Sequence, residues 1–84
     1  MTREELDLQL EQKLPSSISF EGYYGDFAPE GKPPCLGWNY WFIQGNLELN
    51  VFISGKVLSR LSSQSIDIMG RMVERTFEQK QMAM

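Results

Sequence analysis

The chain has 84 residues, one cysteine, no histidine and a formal net charge of −3 at pH 7. This length predicts one small domain over residues 1–84, and a lone cysteine excludes an intrachain disulfide and indicates a reducing compartment. Without histidine the chain lacks the commonest general base and the commonest metal ligand, so we expect no enzyme activity, no catalytic residue, no metal site and no cofactor.

The first predicted element is a helix that begins after Thr2. Thr2 and Glu5 form a capping box, in which each side chain bonds the other residue's free backbone amide. The leucines at every fourth position then make one apolar stripe: Leu6, Leu10 and Leu14. Leu8 lies off this stripe, and Pro15 ends the helix. The local alternation of leucine also fits a strand, but the helix-favouring Glu, Gln and Lys residues decide for a helix.

A first strand is predicted from Ser17 to Tyr24, and Gly22 in its middle indicates a β-bulge. Alternate side chains place an apolar set on one face: Ile18, Phe20 and Tyr24. Residues 25–37 hold three of the four prolines and are predicted as a long loop anchored by Phe27 and Leu36. This loop is a stiff crossover, a binding loop or a cover for one face of the sheet, and the sequence leaves these alternatives open.

A hairpin follows, because Gly45 and Asn46 suit a two-residue turn. The turn fixes the register of the two strands. One hairpin face carries mostly apolar pairs and is assigned to the core: Gln44–Leu47, Phe42–Leu49, Tyr40–Val51 and Trp38–Ile53. The other face pairs Ile43 with Glu48, Trp41 with Asn50, and Asn39 with Phe52. Apolar side chains therefore lie on both faces of this hairpin.

After the hairpin, Ser54 and Gly55 predict another tight turn. Residues 56–61 are expected to form a further strand, which would place Val57 beside Phe52, with the lead-in to the last helix as the alternative. Ser62 or Ser63 is predicted to cap the final helix, which runs to about Gln81, and the tail from Gln79 to Met84 is expected to fray.

The final helix has a wide apolar arc. Its centre is formed by residues at helical spacing: Ile66, Met69, Val73 and Phe77. Ile68 and Met72 extend the arc to one side. Asp67 and Arg71 are spaced to form an ion pair, and Gly70 is expected to allow close packing against the sheet.

These elements predict an α+β fold with an antiparallel sheet of three to four strands, and with the N-terminal and C-terminal helices packed on one face (α-β-β-β-(β)-α). The order of elements resembles that of the double-stranded RNA-binding domain. That family grips phosphate with lysines at the start of its last helix. The corresponding residues 62–67 here are Ser-Ser-Gln-Ser-Ile-Asp, without a basic side chain, so the resemblance does not imply RNA binding.

The leading hypothesis is a non-enzymatic protein-interaction module, a small inhibitor or regulator of a partner protein, with phage accessory and anti-defence proteins as one such class. Aromatic side chains in a polar setting are typical of binding hot spots. The expected partner-binding residues are Trp41, Phe52, Ile43, Phe27 and Tyr23. We expect a cytoplasmic protein without membrane contact, because no stretch approaches the ~20 apolar residues of a membrane span and the N-terminus is too acidic for a signal peptide.

Three other functions stay open. The first is a homodimer formed through the same residues or along Ile68 and Met72. The second is small-ligand binding in an aromatic pocket made by Tyr23, Tyr24, Tyr40 and Trp38. The third is nucleic-acid binding through the basic residues of the second half: Lys56, Arg60, Arg71, Arg75 and Lys80. The acidic first third of the chain opposes this last function.

Overall fold

A computed structural model describes residues 1–28 and 30–83. The elements in chain order are helix α1 (Arg3–Lys13), strands β1 (Ser19–Phe27), β2 (Cys35–Gln44) and β3 (Leu47–Ser54), and helices α2 (Gly55–Arg60) and α3 (Ser63–Met82). The strands form one antiparallel sheet in the order β1-β2-β3. The predicted α+β fold with an antiparallel sheet is confirmed, with three strands in the sheet.

Helix α1 begins and ends as its sequence predicts. The Thr2 hydroxyl accepts a hydrogen bond of 3.2 Å from the backbone N–H of Glu5, and Leu14, just before Pro15, is the C-cap residue. The leucine stripe is buried, whereas Leu8 is exposed. The choice of helix over strand for this segment is therefore confirmed.

Strands β1 and β2 both extend into the segment predicted as a loop. Gly25 pairs with Gly37, Asp26 with Leu36, and Phe27 with Cys35. The connection between the strands is thus residues 28–34, of which the structure describes all but Pro29. The prediction of a loop over residues 25–37 was wrong at both ends, because cross-strand pairing outweighs the low strand propensity of isolated glycines.

The predicted bulge at Gly22 is also wrong, since the pairing of β1 with β2 runs without interruption from Ser19 to Phe27. Gly22 lies opposite Tyr40 instead. A Cβ atom at position 22 would lie 3.1 Å from two atoms of the Tyr40 ring. The glycine therefore leaves room for the Tyr40 ring rather than interrupting the strand.

The hairpin of β2 and β3 has the predicted register at every pair. Gly45 has a φ of 59°, and no residue other than glycine has a positive φ in the described part of the chain. Positive φ at the first turn residue alone fits a type II′ turn, in which glycine takes that position. On the core face of the hairpin, Tyr40, Phe42 and Ile53 are buried as expected, and its other apolar residues are partly buried.

The strand predicted for residues 56–61 was wrong, because Gly55–Arg60 is the short helix α2. Ser54 is not part of a tight turn but the N-cap of this helix, and its hydroxyl accepts a hydrogen bond of 3.2 Å from the N–H of Val57. Leu58 is buried by the helix, whereas Val57 is exposed. Val57 therefore does not extend the sheet beside Phe52.

Helix α3 is capped by Ser62, whose hydroxyl accepts from the N–H of Ser65 at 3.2 Å, and it continues to Met82. The tail predicted to fray is helical through Met82, and its last residue, Met84, lies outside the described residues. Two contacts of α3 differ from those that the sequence predicts. Asp67 pairs with Lys13 of α1 at 2.7 Å, rather than with Arg71. The nearest atom to a Cβ at Gly70 would be Lys13 Cβ at 3.9 Å, so Gly70 approaches α1 rather than the sheet.

The hydrophobic core combines side chains of α1, α3 and one sheet face. Tyr40, Phe42 and Phe77 are almost fully buried, and the cluster also contains Leu6, Leu10, Leu14, Ile18, Ile53, Leu58, Ile66 and Val73. The placement of both terminal helices on this one face stays a prediction. Within the described residues, no helix combines the length and the apolar character that crossing a membrane requires.

Candidate functional site

The register of the sheet collects all five predicted binding residues on the face opposite Tyr40 and Phe42, because successive side chains of a strand point to opposite sides. We call this the second face. It carries Ser19, Glu21, Tyr23, Gly25 and Phe27 of β1, Cys35, Gly37, Asn39, Trp41 and Ile43 of β2, and Glu48, Asn50, Phe52 and Ser54 of β3. Its role in binding a partner stays a prediction.

Trp41 lies on the central strand of the second face. It pairs with Glu21 on one side and with Asn50 on the other. The residue is 40% exposed, although Tyr40 and Phe42 beside it are fully buried. The indole is therefore not enclosed by its own chain, and the largest aromatic side chain of this face is accessible to another molecule.

A pair of stacked rings forms the second apolar feature of this face. The rings of Phe27 and Phe52 have centroids 4.9 Å apart and planes inclined by 29°. They come from the two outer strands and meet above Gly37 of the central strand, where a Cβ would lie 2.7 Å from Cζ of Phe52. The bare backbone at Gly37 makes room for the stack. Phe27 thus belongs to a strand end, rather than to a loop as predicted.

The charge of the second face is uniformly negative. Within the three strands, all of which the structure describes, the face carries Glu21 and Glu48 and no lysine or arginine. The Tyr23 hydroxyl donates a hydrogen bond to the Glu21 carboxylate, and this bond raises the pKa of Tyr23. Trp41, Ile43 and the stacked rings are therefore set among carboxylates and neutral polar groups.

At each edge of the sheet, a basic side chain donates a hydrogen bond to a backbone carbonyl. The Arg3 guanidinium donates to the carbonyl of Gly22 on β1 at 3.3 Å, and the Lys80 ammonium donates to the carbonyl of Glu48 on β3 at 2.9 Å. Charged side chains at edges are a common protection against pairing with another strand. Each contact occupies one backbone carbonyl of an outer strand.

On the core face, a polar cluster joins α1 to the sheet. The Arg3 guanidinium carbon lies 4.4 Å from the ring centroid of Trp38, and Arg3 Nε lies 3.3 Å from Asp7 Oδ2. The Tyr40 hydroxyl donates to Asp7 Oδ1 at 2.5 Å. Burial and, next, this hydrogen bond raise the pKa of Tyr40. Sequence reasoning missed this cluster, although Arg3 and Asp7 have the spacing of a helical ion pair.

The four aromatic residues considered for a small-ligand pocket are not brought together. Tyr24, Trp38 and Tyr40 lie on the core face, whereas Tyr23 lies on the second face. Tyr40 is fully buried, and the rings of Tyr24 and Trp38 contact each other with centroids 5.0 Å apart. This geometry gives no common cavity for a ligand.

A further apolar surface lies between α3 and the edge strand β3. Ile68 and Met72 are 51% and 63% exposed, and they border a groove whose other apolar lining residues are Leu49, Val51, Met69 and Val73. The outward side of α3 next to it has alternating charges, with Arg71, Glu74, Arg75 and Glu78. Two of the five basic residues considered for nucleic-acid binding, Arg71 and Arg75, are therefore interspersed with acids on this helix.

Across residues 1–28 and 30–83, no group of three or more His, Cys, Asp or Glu side chains is arranged to hold a metal ion. Cys35 is a free thiol and is exposed. Comparisons of the chain with protein-family models, with curated proteins and with solved structures found no match.

Proposed function

We propose that this chain is a non-enzymatic protein-interaction module that binds a partner protein through the second face of its sheet and so regulates or blocks that partner. The observation that supports this most is the 40% exposure of Trp41 on the central strand. A tryptophan side chain buries ~150–250 Å² when it is covered. An accessible tryptophan at the middle of a sheet is therefore typical of a surface that another molecule covers.

The composition of the second face fits the anatomy of a protein interface. Aromatic side chains are enriched at the centre of such interfaces, and a polar rim surrounds them. Here Trp41 supplies the aromatic centre, the Phe27–Phe52 stack adds a second aromatic cluster toward one end of the face, and Ser, Asn and Glu side chains lie around them.

The capped edges of the sheet support the face as the docking surface. A partner that added a strand to β1 or β3 would have to displace Arg3 from Gly22 or Lys80 from Glu48. A partner that covers the second face leaves both contacts in place. We therefore propose side-chain docking on the face, rather than extension of the sheet.

The test captures a partner from lysate of the source cell with three immobilised forms of the chain. They are the wild type, Trp41→Thr, and the control Tyr24→Thr, which removes an aromatic residue that is 60% exposed on the core face. Threonine keeps a high strand propensity at both positions. Thermal unfolding of the three forms establishes that each is folded before capture is compared.

A protein that is captured by the wild type and by Tyr24→Thr, but not by Trp41→Thr, supports the proposal. Once purified, that protein should bind folded Trp41→Thr at least tenfold more weakly than the wild type, a difference of about 1.4 kcal/mol. Equal binding by the wild type and Trp41→Thr contradicts docking on this face. An unfolded Trp41→Thr form also contradicts it, because Trp41 would then be needed for the chain's own stability.

Self-association through α3 is the second candidate function, and the exposure of Ile68 and Met72 beside the groove with β3 favours it. Light scattering of a dilution series distinguishes the two candidates. A dimer that dissociates on dilution and is abolished by Met72→Glu supports self-association. A monomer at every concentration excludes it.

A further inference from the structure

We infer that the second face accepts an arginine side chain of its partner, stacked on the Trp41 indole and paired with the carboxylates of Glu21 and Glu48. This inference rests on the proposed docking function and specifies the chemistry of the partner. Three observations carry it: the position of the two carboxylates around Trp41, the sign of the charges that the strands place on the face, and the contact of Arg3 with Trp38 on the other side of the same sheet.

The register places both carboxylates within reach of a cation above Trp41. Glu21 is the direct cross-strand neighbour of Trp41 on β1, and directly opposite Cβ atoms lie about 4.5–5.5 Å apart. Glu48 pairs with Ile43 and is therefore diagonal to Trp41 on β3, at a separation of about 7–8 Å. A cation over the indole thus has a carboxylate available on each side.

The described ion pairs include neither Glu21 nor Glu48, and the Lys80 ammonium beside β3 binds the Glu48 backbone carbonyl rather than its carboxylate. The strand residues of this face include no lysine or arginine, and Glu21 accepts a hydrogen bond from the neutral Tyr23 hydroxyl. The described ion pairs involve Arg3 with Asp7 and Lys13 with Asp67, none of which is on this face. The charge of the face is thus complementary to a basic partner.

The core face shows how this chain holds an arginine. Arg3 lies 4.4 Å from the centroid of Trp38, and Asp7 contacts the same guanidinium group at 3.3 Å. Trp38 and Trp41 are on the same strand but on opposite faces. On the core side, Asp7 comes from the same helix as Arg3. On the second face, the strands themselves supply the indole of Trp41 and the carboxylates of Glu21 and Glu48, and the arginine must come from outside.

Arginine fits this surface better than lysine does. Its planar guanidinium stacks on an aromatic ring, can bond a carboxylate through two N–H groups, and is more weakly hydrated than an ammonium. The side chains beside Trp41 include half-buried Ile43, and the Phe27–Phe52 stack lies further along the face. The partner segment that fits is therefore an arginine with apolar neighbours.

The experiment titrates the folded, isotope-labelled chain with a defined probe, the peptide acetyl-Ala-Leu-Arg-Leu-Ala-amide. The chain has two tryptophans, so its NMR spectrum has two indole N–H signals, and a Trp41→Phe variant assigns the signal of Trp41. Matched peptides replace the arginine with neutral citrulline, with lysine or with glutamate. The protein variants are Glu21→Gln with Glu48→Gln, and the control pair Glu4→Gln with Glu78→Gln, which removes the same charge elsewhere.

The expected result is a saturable shift of the Trp41 signal with the arginine peptide at concentrations up to about 10 mM, where contacts of this size are measurable. Binding of the citrulline peptide should be weaker by about threefold or more, as expected for an exposed cation–aromatic contact with a nearby carboxylate. The Glu21/Glu48 variant should lose this preference, added salt should weaken it, and the Glu4/Glu78 variant should keep it.

Equal binding of the arginine and citrulline peptides overturns the inference, as does an unchanged preference in the Glu21/Glu48 variant or the lack of any shift with the four peptides. Failure here is distinguishable from failure of the docking function. If Trp41→Thr loses the partner but the Glu21/Glu48 variant retains it, the docking function stands and only the inferred arginine contact is wrong. If Trp41→Thr retains the partner, the proposed docking function itself is wrong.

Discussion

The ring of Phe52 lies directly over the backbone of Gly37, and a Cβ at position 37 would come within 2.7 Å of its Cζ atom. The same Cβ would lie 2.4 Å from the carbonyl oxygen of Ile53 and 2.7 Å from the Cα of Ser54. The ring can rotate away, but the backbone atoms of β3 cannot move without disturbing its pairing with β2. Gly37 is therefore required by the sheet itself as well as by the aromatic stack.

We predict that Gly37→Ala lowers the free energy of unfolding by about 1–3 kcal/mol, as expected when an extra carbon is forced into a packed site. Gly25→Ala is the matched control, because Gly25 pairs with Gly37 but a Cβ at position 25 would have no atom within 4 Å. It should change stability by less than about 0.5 kcal/mol. Urea unfolding of the three proteins measures the difference, and equal stability of the two variants would contradict the close approach.

Adjacent residues of β2 should respond very differently to truncation. Trp41→Thr removes a side chain that is 40% exposed, and we expect it to cost about 1–2 kcal/mol, because only part of the indole is covered and threonine keeps some of that apolar contact. Phe42→Ala empties a fully buried site and should cost about 3–5 kcal/mol. Chemical unfolding distinguishes them. A similar large loss in both variants would mean that the indole contributes to the core.

Stability should fall in alkaline solution because of Tyr40, whose pKa is raised above its ordinary value of 10.0 by burial and by Asp7. In the unfolded chain the phenol loses its proton near pH 10, whereas the folded phenol keeps it. The unfolded state then binds fewer protons, so the free energy of unfolding decreases as the pH rises above about 10 and is unaffected by this group at lower pH.

Tyr40→Phe should flatten this alkaline decline, although it lowers stability at neutral pH by removing the hydrogen bond to Asp7. Urea unfolding between about pH 8 and pH 11 measures both effects. Lysine deprotonation affects the wild type and the variant alike, so the difference between their slopes isolates Tyr40. Parallel slopes would show that burial and Asp7 do not hold the phenol proton.

Removal of the charge that caps β3 should promote association of the chain through its sheet edge. Lys80→Met keeps much of the side-chain length but leaves the carbonyl of Glu48 without its ammonium donor. We expect a change in stability of less than about 1 kcal/mol and a clear rise in aggregation, since unpaired edges recruit other strands. Arg75→Met removes a charge from α3 away from this contact and is the control in sedimentation measurements.

The parts of the fold that followed from the sequence are those set by local rules. Gly45 and Asn46 determine the turn, and the turn determines which residues of β2 and β3 face each other, so the division into two faces was predictable. The alternation of side chains then placed Tyr23 and Trp41 on one side. The cap at Thr2 was equally local.

The parts that sequence reasoning missed depend on contacts between distant residues or on ambiguous local signals. The extension of β1 through Gly25 to Phe27 goes with a stack on Phe52, far along the chain. Ser54 and Gly55 are typical of a turn and of a helix start alike, and α2 is too short to show a helical period. The basic caps on the sheet edges require Arg3 and Lys80 to approach strands that they do not adjoin in sequence.

The exposed thiol of Cys35 belongs to the second face, where it is the cross-strand neighbour of Phe27. Because the sequence has one cysteine, a maleimide dye would label this position alone, without any engineered substitution. Fluorescence from that dye would report occupancy at the end of the face in a binding assay. The natural sequence thus supplies its own single-site sensor for whatever molecule covers Trp41.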